Sequence, residues 1–200
     1  MEGINKEKAV IAALLLVFIV LSVLLVIMIR QRSAQKMVMD DFEKNFLLNV
    51  SGTNGGILSY SYDTAYPKSG RQSLKINFSF SNTLEAGRYS DAYVERAVKL
   101  SLKNYRFMNF WYKGDSGNEV FINVFEYYPD TDSGMQLICP PTRINSSEWT
   151  LVSIPLSSFR YEDTKKNVSS IGSINKYLIA VSNRKSANGT FSVDNVYFSR

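Results

Sequence analysis

Two periodicities divide this chain. From Ala9 to Ile29 apolar and small side chains run on for 21 residues without a charge, whereas beyond Asp40 apolar residues recur at every second position in short stretches. At the helical rise the first run spans about 32 Å, enough to cross a hydrocarbon core of about 30 Å, and it predicts a transmembrane helix. A cleaved signal peptide would carry a shorter apolar region, roughly 7 to 15 residues, with a small-residue cleavage site after it. Here Arg30, Gln31 and Arg32 follow directly, so the run reads as an uncleaved signal anchor. The predicted organisation is a short tail over residues 1–8, a membrane helix over 9–29, a juxtamembrane stem over 30–39 and one domain over 40–200.

Inside that domain the alternation is that of strands. Leu74, Ile76, Phe78 and Phe80 alternate with Lys75, Asn77 and Ser79, which gives one apolar and one wet face. Tyr177, Ile179 and Val181 alternate in the same way with Leu178, Ala180 and Ser182. Nine such runs are separated by Gly, Pro, Asn, Asp and Ser clusters: 57–62, 73–80, 94–100, 105–112, 119–127, 136–139, 149–154, 173–182 and 190–198. They predict an all-β fold, a two-sheet antiparallel β-sandwich. Pro155 marks a strand end or a sheet edge, because proline cannot donate to a ladder. Trp149, followed by alternating apolar residues, reads as a core anchor.

The stretch Tyr105 to Tyr127 predicts the centre of a sheet. Two aromatic and β-branched runs flank the turn residues Lys113 to Asn118, the pattern of a hairpin with a long loop. Met108, Phe110, Tyr112, Val120, Ile122 and Val124 would form a wholly apolar face. Phe107, Asn109, Trp111, Phe121, Asn123 and Phe125 would form a mixed one, which could serve as a ligand platform.

Charge adds little. Of the net +5, the residues around the apolar run (Lys6, Lys8, Arg30, Arg32 and Lys36 against Glu2 and Glu7) account for +3, so the domain is close to neutral. Nucleic acid is therefore not an expected partner, since phosphate binding needs clustered positive charge. The basic residues are balanced across the run, so they do not orient it. Sequons at Asn49, Asn77, Asn145, Asn167 and Asn188 permit a glycosylated, extracytoplasmic domain. Cys139 is the only cysteine, which excludes an intrachain disulfide, and histidine is absent, which removes the commonest zinc ligand and the usual base of Ser-His and Cys-His nucleophiles.

Several separated segments carry a family resemblance. Asp40-Asp41-Phe42-Glu43, Ser69-Gly70-Arg71-Gln72-Ser73-Leu74-Lys75, Phe110-Trp111-Tyr112-Lys113-Gly114-Asp115, the Trp149 to Leu156 segment with Phe159, and Val193-Asp194-Asn195-Val196-Tyr197-Phe198 occur in that order. Over residues 40 to 200 the chain resembles jelly-roll carbohydrate-binding modules of the galactose-binding-like superfamily, particularly family 11 and its relatives, the complex I intermediate-associated proteins included. The resemblance implies a structural calcium ion, with Glu43 and Asp194 and backbone oxygens near Lys68 to Ser73 as ligands. Calcium takes six to eight hard oxygens, which suits such a set. The alternative has Glu43 meeting a nearby cation and Asp194 capping a turn.

The resemblance also implies a non-catalytic sugar-binding surface. Aromatic rings bury the C–H faces of pyranoses, and amides bond their hydroxyls. Tyr60, Tyr62, Tyr66, Trp111, Asn123, Phe125 and Tyr127 are the candidates, with sheet packing as the competing use of each ring. Two other readings stand beside it. One is an assembly protein that uses the fold to bind a protein partner; the other is a polysaccharide hydrolase or lyase drawing on Glu126, Asp130, Asp132 or Glu148.

Overall fold

The computed structural model describes residues 14–28, 36–53, 55–80, 91–114, 118–143, 146–182 and 188–200. The chain forms two compact units, Met1–Met37 and Val38–Arg200. In the first, residues 14–28 are a helix whose side chains are exposed throughout. Ser22, its one polar side chain, donates to the carbonyl of Phe18 at 2.8 Å and so carries no unmet hydroxyl. The helix covers the middle of the apolar run; the remainder of Ala9 to Ile29 lies outside the described residues. Among the described residues no helix is long and apolar enough to cross a membrane.

The second unit is the expected sandwich. Its strands are β1 (Lys36–Asp40), β2 (Asn49–Gly52), β3 (Gly56–Asp63), β4 (Ser73–Phe80), β5 (Asp91–Ser101), β6 (Phe107–Gly114), β7 (Glu119–Tyr128), β8 (Ser133–Ile138), β9 (Ser146–Pro155), β10 (Arg160–Tyr161), β11 (Ser173–Ser182) and β12 (Asn188–Ser199). One sheet, A, has the order β3-β4-β12-β6-β9, with β1 also paired to β12; the other, B, has the order β10-β8-β7-β11-β5-β2. β9 is an edge strand and ends at Pro155, as its missing N–H requires.

The hairpin expectation is overturned. β6 pairs with β12 and β9, whereas β7 pairs with β11 and β8, so the two runs belong to different sheets. Of the expected turn residues, Lys113 and Gly114 belong to β6, and 115–117 lie outside the described residues. The reason the two runs part is the strength of the apolar faces themselves: Met108, Phe110 and Tyr112 on β6 and Val120, Ile122 and Val124 on β7 are all fully buried, and they cover each other from opposite sides of one core. Leu74, Ile76, Phe191 and Val193 extend that core in sheet A, and Ile179 and Val181 extend it in sheet B. Each such side chain contributes about 1.5–3 kcal/mol through burial.

A buried polar cluster ties β1 of sheet A to β5 and β11 of sheet B. Asp40 is 3 % exposed and accepts the N–H of Phe42 at 2.9 Å and the hydroxyl of Tyr177 at 2.5 Å; its second partner on the same oxygen is Arg96. The Arg96 guanidinium in turn lies 3.3 Å from the centre of the Phe46 ring. A buried carboxylate with a guanidinium and two further donors meets the requirement that a desolvated charge be both paired and hydrogen-bonded.

Candidate functional site

Register decides which way each candidate points, because residues opposite one another on neighbouring strands share a face. Tyr60 lies opposite Ile76 and Tyr62 opposite Leu74, both core residues. Both tyrosines therefore face the interior, where Tyr60 accepts the N–H of Leu48 at 2.9 Å and Tyr62 donates to the carbonyl of Phe46 at 2.9 Å. Trp111 is on the outer face of sheet A, with the Lys68 ammonium 4.1 Å above its ring. Asn123, Phe125 and Tyr127 are on the outer face of sheet B. The mixed face expected from Tyr105 to Tyr127 is thus divided between two opposite surfaces.

The outer face of sheet B is a regular grid. Tyr93, Ala180 and Phe121 form one row across β5, β11 and β7; Glu95, Leu178 and Asn123 form the next; Ala97, Lys176, Phe125 and Gln136 form a third, reaching β8. The middle of the grid is small or tightly packed: Ala180, Leu178 and Asn123 are no more than 7 % exposed, while Tyr93, Phe121, Phe125 and Tyr127 are half-buried. At a strand spacing of about 4.8 Å, Tyr93 and Phe121 stand about 10 Å apart across the Ala180 floor. Polar groups sit among the rings. Lys176 lies 4.0 Å over the Phe125 ring and 3.1 Å from the Glu95 carboxylate, and Glu95 also accepts the Asn49 amide at 3.5 Å. Asn123 accepts the N–H of Cys139 at 2.9 Å, which fixes its amide plane. Tyr127 donates to Asp132 at 2.8 Å, and that bond, with the Asp132 charge, raises its pKa.

Beside the grid, Phe121, Ile138, Pro140, Ser158, Arg160 and Asn167 line a cleft of about 330 Å³. Tyr93, Lys176 and Gln136 were not among the sequence candidates, and Phe121 entered only as part of the mixed face. Their signal was present only as alternation within strands whose neighbours were unknown.

On sheet A, Asp194 and Glu43 meet the same loop. Asp194 Oδ2 accepts the N–H groups of Ser69 at 2.8 Å and Lys68 at 2.9 Å. Glu43 accepts those of Arg71 at 2.8 Å and Gln72 at 3.3 Å, and also pairs with the Arg71 guanidinium at 3.3 Å. Both alternatives offered by the sequence, a paired Glu43 and a capping Asp194, are therefore realised. They do not use all the oxygens. Asp194 Oδ1 and Ser73 Oγ are buried and without a hydrogen-bond partner among the described residues. Burial raises the Asp194 pKa above its usual 3.8, with the Glu43 charge adding to the rise against the Ser69 and Lys68 N–H groups. The Arg71 N–H holds Glu43 below its usual 4.5. Gly70 has φ +63°, and a Cβ there would fall 2.1 Å from Glu43 Oε1, so only glycine allows this approach. Phe42 and Asn195, each adjacent in sequence to one of the carboxylates, also have positive φ, 58° and 49°. Such backbone is costly for residues with a Cβ and persists only where its surroundings impose it.

The remaining candidates are dispersed. Glu126 spends its oxygens on the N–H of Gly172 at 2.7 Å and the hydroxyl of Tyr128 at 2.8 Å, Asp130 and Asp132 belong to an exposed turn, and Glu148 is exposed on β9 in the other sheet. Among the described residues no group of three or more Asp, Glu, Cys or His is gathered for a metal. Asn49, Asn77, Asn167 and Asn188 are exposed; Asn145 lies outside the described residues. Cys139 is buried, and burial pushes its thiol up to about 12. Trp149 is not a core anchor: it shares the outer face of sheet A with Leu151 and Trp111 and donates its indole N–H to the carbonyl of Tyr66 at 3.1 Å. Its alternation was read correctly but assigned to the wrong side, since Thr150, Val152 and Ile154 hold the inward positions.

Two six-stranded antiparallel sheets with half-exposed rings on an outer face make the protein an antiparallel β-sandwich of the jelly-roll kind. The chain belongs to the family described as carbohydrate binding domain 30, which it matches over residues 39–200. No curated protein matches it. Among solved structures it is similar to the family 11 carbohydrate-binding module of a cellulosomal cellulase of Clostridium thermocellum, with 16 % identity, a TM-score of 0.62, and coverage of 82 % of this chain and 94 % of that one. It is also similar to a family 11 module from the same organism in complex with a β-1,3-1,4-mixed-linked tetrasaccharide, with 15 % identity, a TM-score of 0.64, and coverage of 82 % and 95 %.

Proposed function

We infer that the protein binds a neutral β-linked glucan, without cleaving it, across the outer face of sheet B. The observation that carries this reading is the set of half-buried rings, Tyr93, Phe121, Phe125 and Tyr127, spaced over a flat floor with Glu95, Asn123, Lys176 and Gln136 between them. Rings of this kind stack on sugar faces at little entropic cost, and the interleaved amide and charged groups orient hydroxyls. The mixed-linked tetrasaccharide bound by the similar family 11 module supplies the first ligand to try. Glu126, Asp132 and Glu148 have separate surroundings, which favours recognition over hydrolysis.

The run from Ala9 to Ile29 is long enough to anchor this module in a membrane, with residues 40–200 on the extracytoplasmic side, where polysaccharide and exposed sequons are both accommodated. A structural calcium ion fits beside Asp194. The unpartnered Oδ1 of Asp194 and Oγ of Ser73 are hard oxygens in need of a partner, and Glu43 and the carbonyls of the Lys68 to Ser73 loop would complete the set. The ion would neutralise a carboxylate that burial otherwise penalises.

Calorimetric titration of the full chain in nonionic detergent with a β-1,3-1,4-linked tetrasaccharide tests the binding. Saturable binding that weakens about tenfold in Phe125→Ala or Tyr93→Ala is expected from loss of a stacked ring. Absence of binding to a panel of neutral glucans, together with capture of a protein partner on the same face, would favour the assembly role.

A further inference from the structure

We propose that the outer face of sheet A carries a second saccharide site, selective for an acidic sugar residue such as a uronate. A cleft of about 410 Å³ opens there, on the side of the molecule opposite the glucan face, with Tyr66 and Trp149 as aromatic walls. Tyr66 is 73 % exposed, and its backbone is held in place by the bond its carbonyl accepts from the Trp149 indole N–H at 3.1 Å. An exposed ring on an anchored segment is pre-organised for stacking, because little entropy remains to be lost.

The charges of the cleft set its preference. Ser192 on β12 lies opposite Lys75 on one side and Lys113 on the other, so the three side chains form one row on the same face. Two strand spacings separate the lysines, about 10 Å, with a hydroxyl between them. Thr190 continues the hydroxyl line, although its Oγ1 is committed to Asn77 at 2.8 Å. Neither lysine is in an ion pair among the described residues, and the Lys113 ammonium stands 5.6 Å from the centre of the Tyr66 ring. Asp63, the one carboxylate lining the cleft among the described residues, accepts the N–H of Ala65 at 2.9 Å and shapes the loop. Two lysines outside any ion pair among the described residues, beside an exposed ring, match a ligand that has both an apolar sugar face and a carboxylate. A neutral glucan would leave both ammonium groups without an anion.

The test is titration of the full chain in nonionic detergent with tetragalacturonate. Binding should weaken about tenfold in Lys113→Gln, Lys75→Gln or Tyr66→Ala, and as salt is raised. It should be unchanged in Phe125→Ala, on the opposite sheet. Near-UV circular dichroism of each variant reports that the surface change has left the fold intact. The proposal is overturned if tetragalacturonate does not bind at millimolar concentration, if both lysine variants bind as the parent does, or if Phe125→Ala abolishes binding. It does not depend on the glucan reading, which is measured with a different ligand on a different face.

Discussion

Asp194 Oδ2 receives the Ser69 N–H at 2.8 Å while Oδ1 of the same carboxylate is buried without a partner among the described residues. One oxygen ties the last strand to the loop between β3 and β4; the other carries the cost of burial. The two halves of this group make separable predictions.

In chelator, stability should fall as pH rises from about 4 toward 7. Asp194 has a folded-state pKa above its usual 3.8, so the folded state holds the proton longer than the unfolded one and loses stability as pH climbs through the raised value. Glu43, held below 4.5, acts in the opposite sense and loses its contribution only as the solution becomes more acid. Melting curves of the parent and of Asp194→Asn distinguish them: the variant should lack the loss on the neutral side. Calcium should raise the parent's Tm most near neutral pH and leave the variant's unchanged.

Asp40 and Arg96 should be costly to separate. Asp40→Ala leaves a guanidinium that is only 19 % exposed without its carboxylate, and a loss of about 3–5 kcal/mol is expected. Tyr177→Phe removes one hydrogen bond to the same carboxylate and should cost about 2 kcal/mol. Denaturant titration of the three proteins checks the order.

Cys139 should be silent toward thiol reagents. With its thiol pushed up to about 12 by burial, almost no thiolate exists at pH 8, and its Sγ already donates to the carbonyl of Pro140 at 3.1 Å. Labelling at pH 8 should proceed only in denaturant, at one equivalent per chain. Rapid labelling of the native protein would show that the strand edge at Ile138 opens.

The outer face that carries Trp149 and Trp111 can be told apart from the core by substitution. Both are on the outer side of sheet A, so Trp149→Phe should shift the melting temperature by far less than Phe110→Ala, which opens a cavity in the core and is expected to cost about 3–5 kcal/mol.

Much of the sandwich was legible because side-chain period is local. The alternation of Leu74, Ile76, Phe78 and Phe80 against Lys75, Asn77 and Ser79 fixes one wet and one dry face whatever the neighbours are, and β4 and β11 begin and end where the pattern does. The short strands β1, β2 and β10 carry no such signal, because five, four and two residues are too few to display a period, and β1 falls in the stretch expected to be a stem. Phe121 and Tyr93 could not be joined from sequence either: they meet over Ala180 only because β11 lies between β5 and β7, a pairing of segments far apart in the chain.

The run from Tyr105 to Tyr127 marks the boundary between the two kinds of information. Sequence alone determined that Met108, Phe110 and Tyr112 share one face and Val120, Ile122 and Val124 another, since a strand turns each successive side chain through half a revolution. It could not determine whether those faces lie side by side in one sheet or against each other across a core, because a long polar loop permits both. Tertiary structure decided for the second, as it buries both apolar faces at once. The same choice sent Trp111 to one outer surface and Asn123, Phe125 and Tyr127 to the other.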